Sequence, residues 1–295
     1  MNASPETSAT SPIVNGQRKL RPISRRVRPA KGIIVVGAGK TIKLAEIDPD
    51  TSPGGSKEKG ERRVEKLRER LLELQQRLYA EHKRSLLIVV QAMDTGGKDG
   101  AIKKLCSGLD PNGVQLTNFK YPSADEWDHD FLWRVHHGAP RKGGIGIWNR
   151  SHYEDVLVPR VHKQISGSVW RERCEDINAF ERLLARNGVT WLKFFLHISK
   201  EEQKERLEAR LQDPNKLWKF NVGDLKERER WETYQDAYEA VINECSTRIA
   251  PWYIVPANRK WARNLMMLET VVATLERMAP KYPTADFDPK TIVIK

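Results

Sequence analysis

Cysteine is scarce: Cys106, Cys174 and Cys245 are the only three in 295 residues, widely spaced and with no His/Cys cluster around them. An odd, dispersed set excludes a disulfide framework and a structural zinc site, which leaves reduced thiols in a core. No uninterrupted apolar run is long enough to span a bilayer. The Ser/Thr/Pro-rich N-terminus lacks the apolar centre of a signal peptide. A soluble, cytoplasmic protein without membrane association is expected. Aromatics make up 8% and hydrophobic residues 39%, which is lean but sufficient for a core and excludes global disorder. Acids are outnumbered, 39 Asp and Glu against 51 Lys and Arg, for a net charge of +12. That excess points to a polyanionic partner: nucleic acid, an anionic membrane or a phosphate-rich substrate. No internal repeat is present, and the length suits one α/β domain with extra arms, or at most two small domains.

Residues 1–60 read as a basic, largely extended arm. Arg18, Lys19, Arg21, Arg25, Arg26, Arg28 and Lys31 follow one another without an intervening acid, and Pro22 and Pro29 prevent a regular helix. Gly37-Ala-Gly39-Lys40-Thr41 imitates the end of a nucleotide-binding loop. However, Ile34 stands where the first glycine belongs, and no helix-forming stretch follows, so this segment is rejected as a site. From Glu61 to Lys83, Val64, Leu67, Leu71, Leu74 and Leu78 step by three and four, which predicts an amphipathic helix. The helix is expected to pack on the domain or on a partner subunit, and the breadth of the stripe suggests a homo-oligomer.

Beyond it, strands are expected at 86–90, 114–119, 144–148, 191–198 and 252–255. Helices are expected at 98–107, 124–137, 176–187, 201–211, 224–245 and 262–278. This alternation predicts an α/β fold: a parallel sheet of about five strands with helices on both faces. The domain is expected over 61–280, with a lid at 206–224 and a C-terminal tail at 281–295.

The apolar strand Leu86–Val90 runs into Gln91-Ala-Met-Asp94-Thr-Gly96-Gly97-Lys98-Asp99-Gly100 and then a helix. Glycines let backbone N–H groups converge on oxygen anions, the helix start adds partial positive charge and the lysine a full one. The match to the P-loop (Walker A) pattern is imperfect, because Ala92 replaces the first glycine and Asp99 the usual Ser/Thr. A glycine-rich turn with a solvent-facing lysine is the competing reading. The strand end Asn149-Arg150-Ser-His152-Tyr-Glu154 stands, by chain order, beside that loop. The stretch from Arg206 to Asp224 carries Arg210, Lys216 and Lys219 in a hairpin that can close over a phosphoryl group, or else is a solvated linker.

Taken together, these stretches resemble the family-2 polyphosphate kinases over roughly residues 35–280. The resemblance rests on Ala92-Met-Asp-Thr-Gly-Gly-Lys-Asp-Gly100, Asn149-Arg-Ser-His-Tyr-Glu-Asp-Val156, Asp213-Pro-Asn-Lys-Leu-Trp-Lys-Phe220, Phe119-Lys-Tyr-Pro122 and Phe131-Leu-Trp-Arg-Val-His136. It implies a P-loop kinase-like fold with a mobile lid, magnesium (or manganese in its place), a nucleotide acceptor and a basic channel for polyphosphate.

By the same resemblance Asp94 holds magnesium or orients the acceptor, and Lys98 sits on the transferred phosphoryl group. Asn149 and Arg150 flank metal and phosphates, although Asn149 stands where some relatives carry Asp. Gly96, Gly97, Asp99 and Gly100 belong to the phosphate cradle. Arg210 and Asp224 belong to lid closure, and Lys216 and Lys219 are lid cations. Glu154, with His152, resembles the class that accepts both mono- and diphosphates. Relatives largely confined to one acceptor tend to carry Asn at that position.

The expected activity is transfer from inorganic polyphosphate to AMP and ADP, with the base, adenine or guanine, left open. Lys103, Lys104, Lys120 and Arg134 are expected along the polyphosphate channel. Two other readings remain: an ATP-dependent nucleotide kinase of the same fold, and a non-catalytic RNA or polyanion binder. The second fits poorly, because the tryptophans fall at periodic apolar positions and form no stacking platform; specific nucleic-acid binding is not expected.

Overall fold

A computed structural model describes residues 28–294. Residues 1–27 of the expected arm, with Arg18, Lys19, Arg21, Arg25 and Arg26, lie outside these residues. The described chain forms six strands: β1 (Ile34–Val36), β2 (Ser85–Ala92), β3 (Val114–Asn118), β4 (Ile145–Asn149), β5 (Val189–His197) and β6 (Trp252–Pro256). They make one sheet in the order β1-β6-β5-β2-β4-β3. All pairings are parallel except β1 with β6. The sheet is thus mixed and has one strand more than expected.

That extra strand was hidden because three residues carry too short a pattern to read. Side chains from elsewhere hold its neighbourhood in place. Asn243 brackets Ile42 through both its amide groups (2.9 and 3.1 Å), and Glu239 accepts from the Leu44 N–H (2.8 Å). Val36, Leu44 and Ile47 are buried, so the segment from residue 33 to 47 belongs to the folded body, not to a detached arm. Gly37–Lys40 is a tight turn followed by a single 3₁₀ turn at Leu44–Glu46, in line with its rejection as a nucleotide loop.

β2 is buried along its whole length, as a central strand flanked by β4 and β5 must be. Helix α1 (Lys57–Glu81) starts at the Ser56 cap and ends with His82 in the left-handed region. Its Leu71, Leu74 and Leu78 are buried, and it packs on α10 (Lys260–Met278). The stripe that suggested a partner subunit is therefore covered within the same chain.

The remaining helices are α2 (Lys98–Cys106), α3 (Ala124–Trp127), α4 (Trp133–His137), α5 (Glu154–Val161), α6 (Gly167–Arg186), α7 (Lys200–Leu211), α8 (Gly223–Glu229) and α9 (Trp231–Cys245). The single helix expected over 124–137 is two short ones. The Asp130 carboxylate accepts from the Leu132 N–H (2.9 Å) and diverts the backbone between them. The helix expected from 224 likewise breaks at Arg230. α5 escaped notice because Pro159 lies inside it. Pro159 cannot donate to the carbonyl of Asp155, and the Arg173 guanidinium donates to that carbonyl instead (2.7 Å).

Candidate active site

The site lies at the C-terminal ends of β2 and β4. Val90 pairs with Asn149 across the two strands, so the loops that follow emerge side by side, the usual place for ligands in an open α/β sheet. In the loop after β2, the Gly96 N–H donates to the Met93 carbonyl (2.9 Å), and Thr95 and Gly97 take φ of +62° and +92°. A Cβ on Gly96 would stand 2.6 Å from Ala92 Cβ, so this tight turn requires glycine. α2 begins at Gly97 without a side-chain cap, leaving its first N–H groups to an anion.

Lys98 folds back over the loop and donates to the carbonyls of Ala92 (2.8 Å) and Met93 (3.3 Å). Burial lowers its pKa from the ordinary lysine value, against the opposing pull of Asp94. Across the gap, Arg150 reaches Asp94 at 3.5 Å and Glu154 at 3.8 Å. Arg150 occupies the left-handed region at φ +61°, a conformation costing about 1 kcal/mol or more for a residue with a Cβ. Burial raises the pKa of Glu154, and Arg150 and Lys98 hold it back. The Asn149 amide donates to Asp99 (2.9 Å).

The β4–α5 turn carrying Arg150 and Glu154 rests on a buried polar cluster. Lys193 of β5 donates to Glu181 (2.8 Å), to the Tyr153 hydroxyl (2.8 Å) and to the Cys245 carbonyl (2.7 Å), and the Tyr153 hydroxyl donates to Glu181 (2.7 Å). His152 lies 3.4 Å from the same carboxylate. All four side chains are fully buried.

Asp94, Lys98, Arg150 and Glu154 line one cavity of about 230 Å³. Gln203, Arg228, Tyr234 and Tyr238 join them there, and sequence reasoning missed all four. The Gln203 amide donates to the Asp94 carbonyl (2.8 Å) and the Tyr238 hydroxyl to the Ala92 carbonyl (2.9 Å). The spacing of Tyr234 and Tyr238 on one helix face was the available signal.

The candidate lid follows α7. Arg210 lies 3.8 Å from Asp224 and donates to the Lys219 carbonyl (3.2 Å). Lys216 pairs with Asp213 at 2.5 Å, and Trp218 is 78% exposed. Asp224 has its pKa raised by burial and then by Asp94.

Lys103, Lys104 and Lys120 are exposed but do not border the cavity, and Lys104 lines a separate one between α1, α2 and α10. Arg134, by contrast, is largely buried and ion-paired. It is 8% exposed, paired with Asp155 at 3.0 Å and bonded to the Lys120 carbonyl at 2.7 Å. It also lines a cavity of about 770 Å³ that holds no residue of the glycine-rich loop.

Residues 54–283 match the family model described as Polyphosphate kinase 2. The chain is 48% identical over 256 residues to the AMP/ADP-polyphosphate phosphotransferase of Meiothermus ruber, covering 86% of this chain and 96% of that protein. It is 41% identical over 261 residues to the ADP-polyphosphate phosphotransferase of Rhodopseudomonas palustris, covering 84% and 90%. Among solved structures, the polyphosphate kinase 2 of Arthrobacter aurescens superimposes with a TM-score of 0.84 at 43% identity, covering 87% of this chain and 92% of that one. With the loop and the β4 strand end arranged around one cavity, the chain belongs to the polyphosphate kinase 2 family.

Proposed function

We propose that this protein transfers the terminal phosphoryl group of inorganic polyphosphate to AMP and to ADP. The observation that carries the reading is the convergence of Asp94, Lys98, Arg150 and Glu154 on one cavity at the start of α2. The dual acceptor range is supported by likeness to the Meiothermus ruber protein.

An oxygen of the acceptor's last phosphate attacks the terminal phosphorus of the donor. The bond to the bridging oxygen breaks, and the shortened polyphosphate leaves with that electron pair. The chain's own residues bind, orient and neutralise, which is most of what phosphoryl transfer needs. The loop N–H groups and Lys98 hold the transferred group. Arg150, pinned between two carboxylates, grips the acceptor phosphate. Arg210, Lys216 and Lys219 bring cations from the lid as it closes and excludes water.

Among the described residues no group of three or more His, Cys, Asp or Glu side chains could cage a metal. Magnesium is commonly held by one or two carboxylates plus substrate phosphates. Asp94, about a third exposed, is the carboxylate to hold it. Asn149 has its side-chain carbonyl left to contribute, since its amide is committed to Asp99. Bound there, the metal supplies charge neutralisation on the phosphate oxygens.

The test is incubation of the purified protein with magnesium, polyphosphate and AMP, followed by nucleotide chromatography. ADP and then ATP are expected. Transfer from ATP with none from polyphosphate would overturn the proposal in favour of an ordinary nucleotide kinase.

A further inference from the structure

In β2, the apolar run Leu86 to Val90 is followed by one polar side chain, Gln91, before the glycine-rich loop begins. Gln91 is fully buried. It does not border the cavity, which starts one residue later at Ala92. Its amide donates to the Ser151 hydroxyl oxygen (3.0 Å), but its own carbonyl has no donor among the described residues. A half-bonded amide in a core costs free energy that an apolar side chain of the same length would not. The position therefore calls for a reason beyond filling space.

The reason lies in what the amide holds. The Ser151 hydroxyl oxygen accepts from Gln91 and also from the Tyr153 N–H (3.2 Å). The Ser151 carbonyl accepts from the Glu154 N–H (3.0 Å). The Arg150 N–H, just before, donates to the carbonyl of Val90, the neighbour of Gln91 (3.2 Å). The end of β2 thus grips the turn that carries both Arg150 and Glu154. Gln91 also reaches the Glu154 carboxylate itself. Burial raises the pKa of that group, Arg150 and Lys98 lower it, and a hydrogen bond from Gln91 lowers it further. A side-chain amide has two protons to give, and Ser151 and Glu154 are their two acceptors.

Arg150 takes its direction from two carboxylates, Asp94 at 3.5 Å and Glu154 at 3.8 Å. Asp94 belongs to the loop, whereas Glu154 is steadied from behind by Gln91. We propose that Gln91 is a positioning residue for acceptor choice: its amide fixes the Glu154 carboxylate against Arg150 and so favours AMP, which offers the site a single phosphate, relative to ADP. Gln91 touches neither substrate and acts through Glu154. This rests on AMP and ADP both being acceptors, as proposed above.

The experiment measures kcat and KM for AMP, for ADP and for polyphosphate in wild type, Gln91→Met, Ser151→Ala, Glu154→Asn and the double variant Gln91→Met/Glu154→Asn. One hydrogen bond corresponds to about three- to tenfold. The ratio of kcat/KM for AMP to that for ADP should fall by about that factor in Gln91→Met. The fall should come through the KM for AMP, with the KM for polyphosphate held. Ser151→Ala, which removes the hydroxyl that aligns the amide, should move the ratio the same way by a smaller factor, and it tests the same link if Gln91→Met does not fold. The double variant should show the ratio of Glu154→Asn alone, because the group through which Gln91 acts is already gone. A wild-type ratio in both Gln91→Met and Ser151→Ala refutes the proposal and leaves the acceptor reading standing. Multiplied effects in the double variant also refute it, since Gln91 then acts on something other than Glu154. An equal loss for AMP and ADP, in kcat alone, reduces Gln91 to a prop of the fold. If wild type phosphorylates ADP and not AMP, the acceptor reading falls and takes this inference with it.

Discussion

Replacing Glu154 with Asn should shift the balance between the two acceptors. Glu154 holds Arg150 from the first turn of α5, 3.8 Å away, while Asp94 holds it from the loop at 3.5 Å. At that separation the Coulomb attraction is about 4 kcal/mol in a medium of effective dielectric near 20. The Arg150 side chain is 44% exposed, and solvent screening cuts the useful part to roughly 1–2 kcal/mol. Without Glu154, Arg150 leans on Asp94 alone and its position over the acceptor loosens. ADP has a second phosphate with which other cations can hold it. AMP has only the reacting phosphate, so it depends more on where Arg150 stands. A loss of about 1.4 kcal/mol specific to AMP is a factor of about ten. The assay compares kcat/KM for AMP and for ADP, with saturating polyphosphate, in wild type and Glu154→Asn. The ratio should fall about tenfold against AMP. An unchanged ratio, whether both activities drop together or neither moves, would refute the role assigned to Glu154.

Lys98→Ala should lower turnover by about 10²–10³ without lowering the melting temperature at neutral pH. The sign follows from linkage: a lysine pKa depressed on folding means the charged form costs stability below that pKa, a cost the substitution removes. Wild-type turnover in the folded variant would overturn its placement on the phosphoryl group. Lys193→Met should destabilise by about 3–5 kcal/mol, because Glu181 is left as an uncompensated buried charge; chemical denaturation that finds less than about 1 kcal/mol would contradict the buried-pair account. Adding nucleotide and tripolyphosphate should change the tryptophan fluorescence as Trp218 becomes covered, and Trp218→Phe should abolish most of that change. An undiminished signal in the variant would place the motion elsewhere.

The site was legible where chemistry sits next to a strand end. Asp94, Lys98 and Arg150 follow β2 and β4 by a few residues, and those strands announce themselves as apolar runs bounded by glycine or polar turns. What escaped depends on distant parts of the chain. Gln203 and Tyr238 read as ordinary helix residues, and only the packing of α7 and α9 over the loop brings them to the Asp94 and Ala92 carbonyls. The pairing of Arg134 with Asp155 was hidden because the two lie 21 residues apart in sequence. The short antiparallel β1 carries no periodicity at all, since its neighbourhood is fixed by Asn243 and Glu239.

The central place of β2 also bears on how the chain acquires its structure during synthesis. Ser85 pairs with Val189 on one side, and Leu86 with Ile145 on the other. Neither partner exists when β2 leaves the ribosome, and one arrives only after a further hundred or so residues. Contacts so far apart in sequence make for slow folding. Until β5 emerges, one edge of a strand that ends up wholly buried stays open to other nascent chains. The loop between β2 and α2 can take its final shape only after that closure. Folding yield should therefore be most sensitive to chaperone supply and temperature in the interval before residue 197 is made, and substitutions in β5 should lower soluble expression more than equally buried changes in β6.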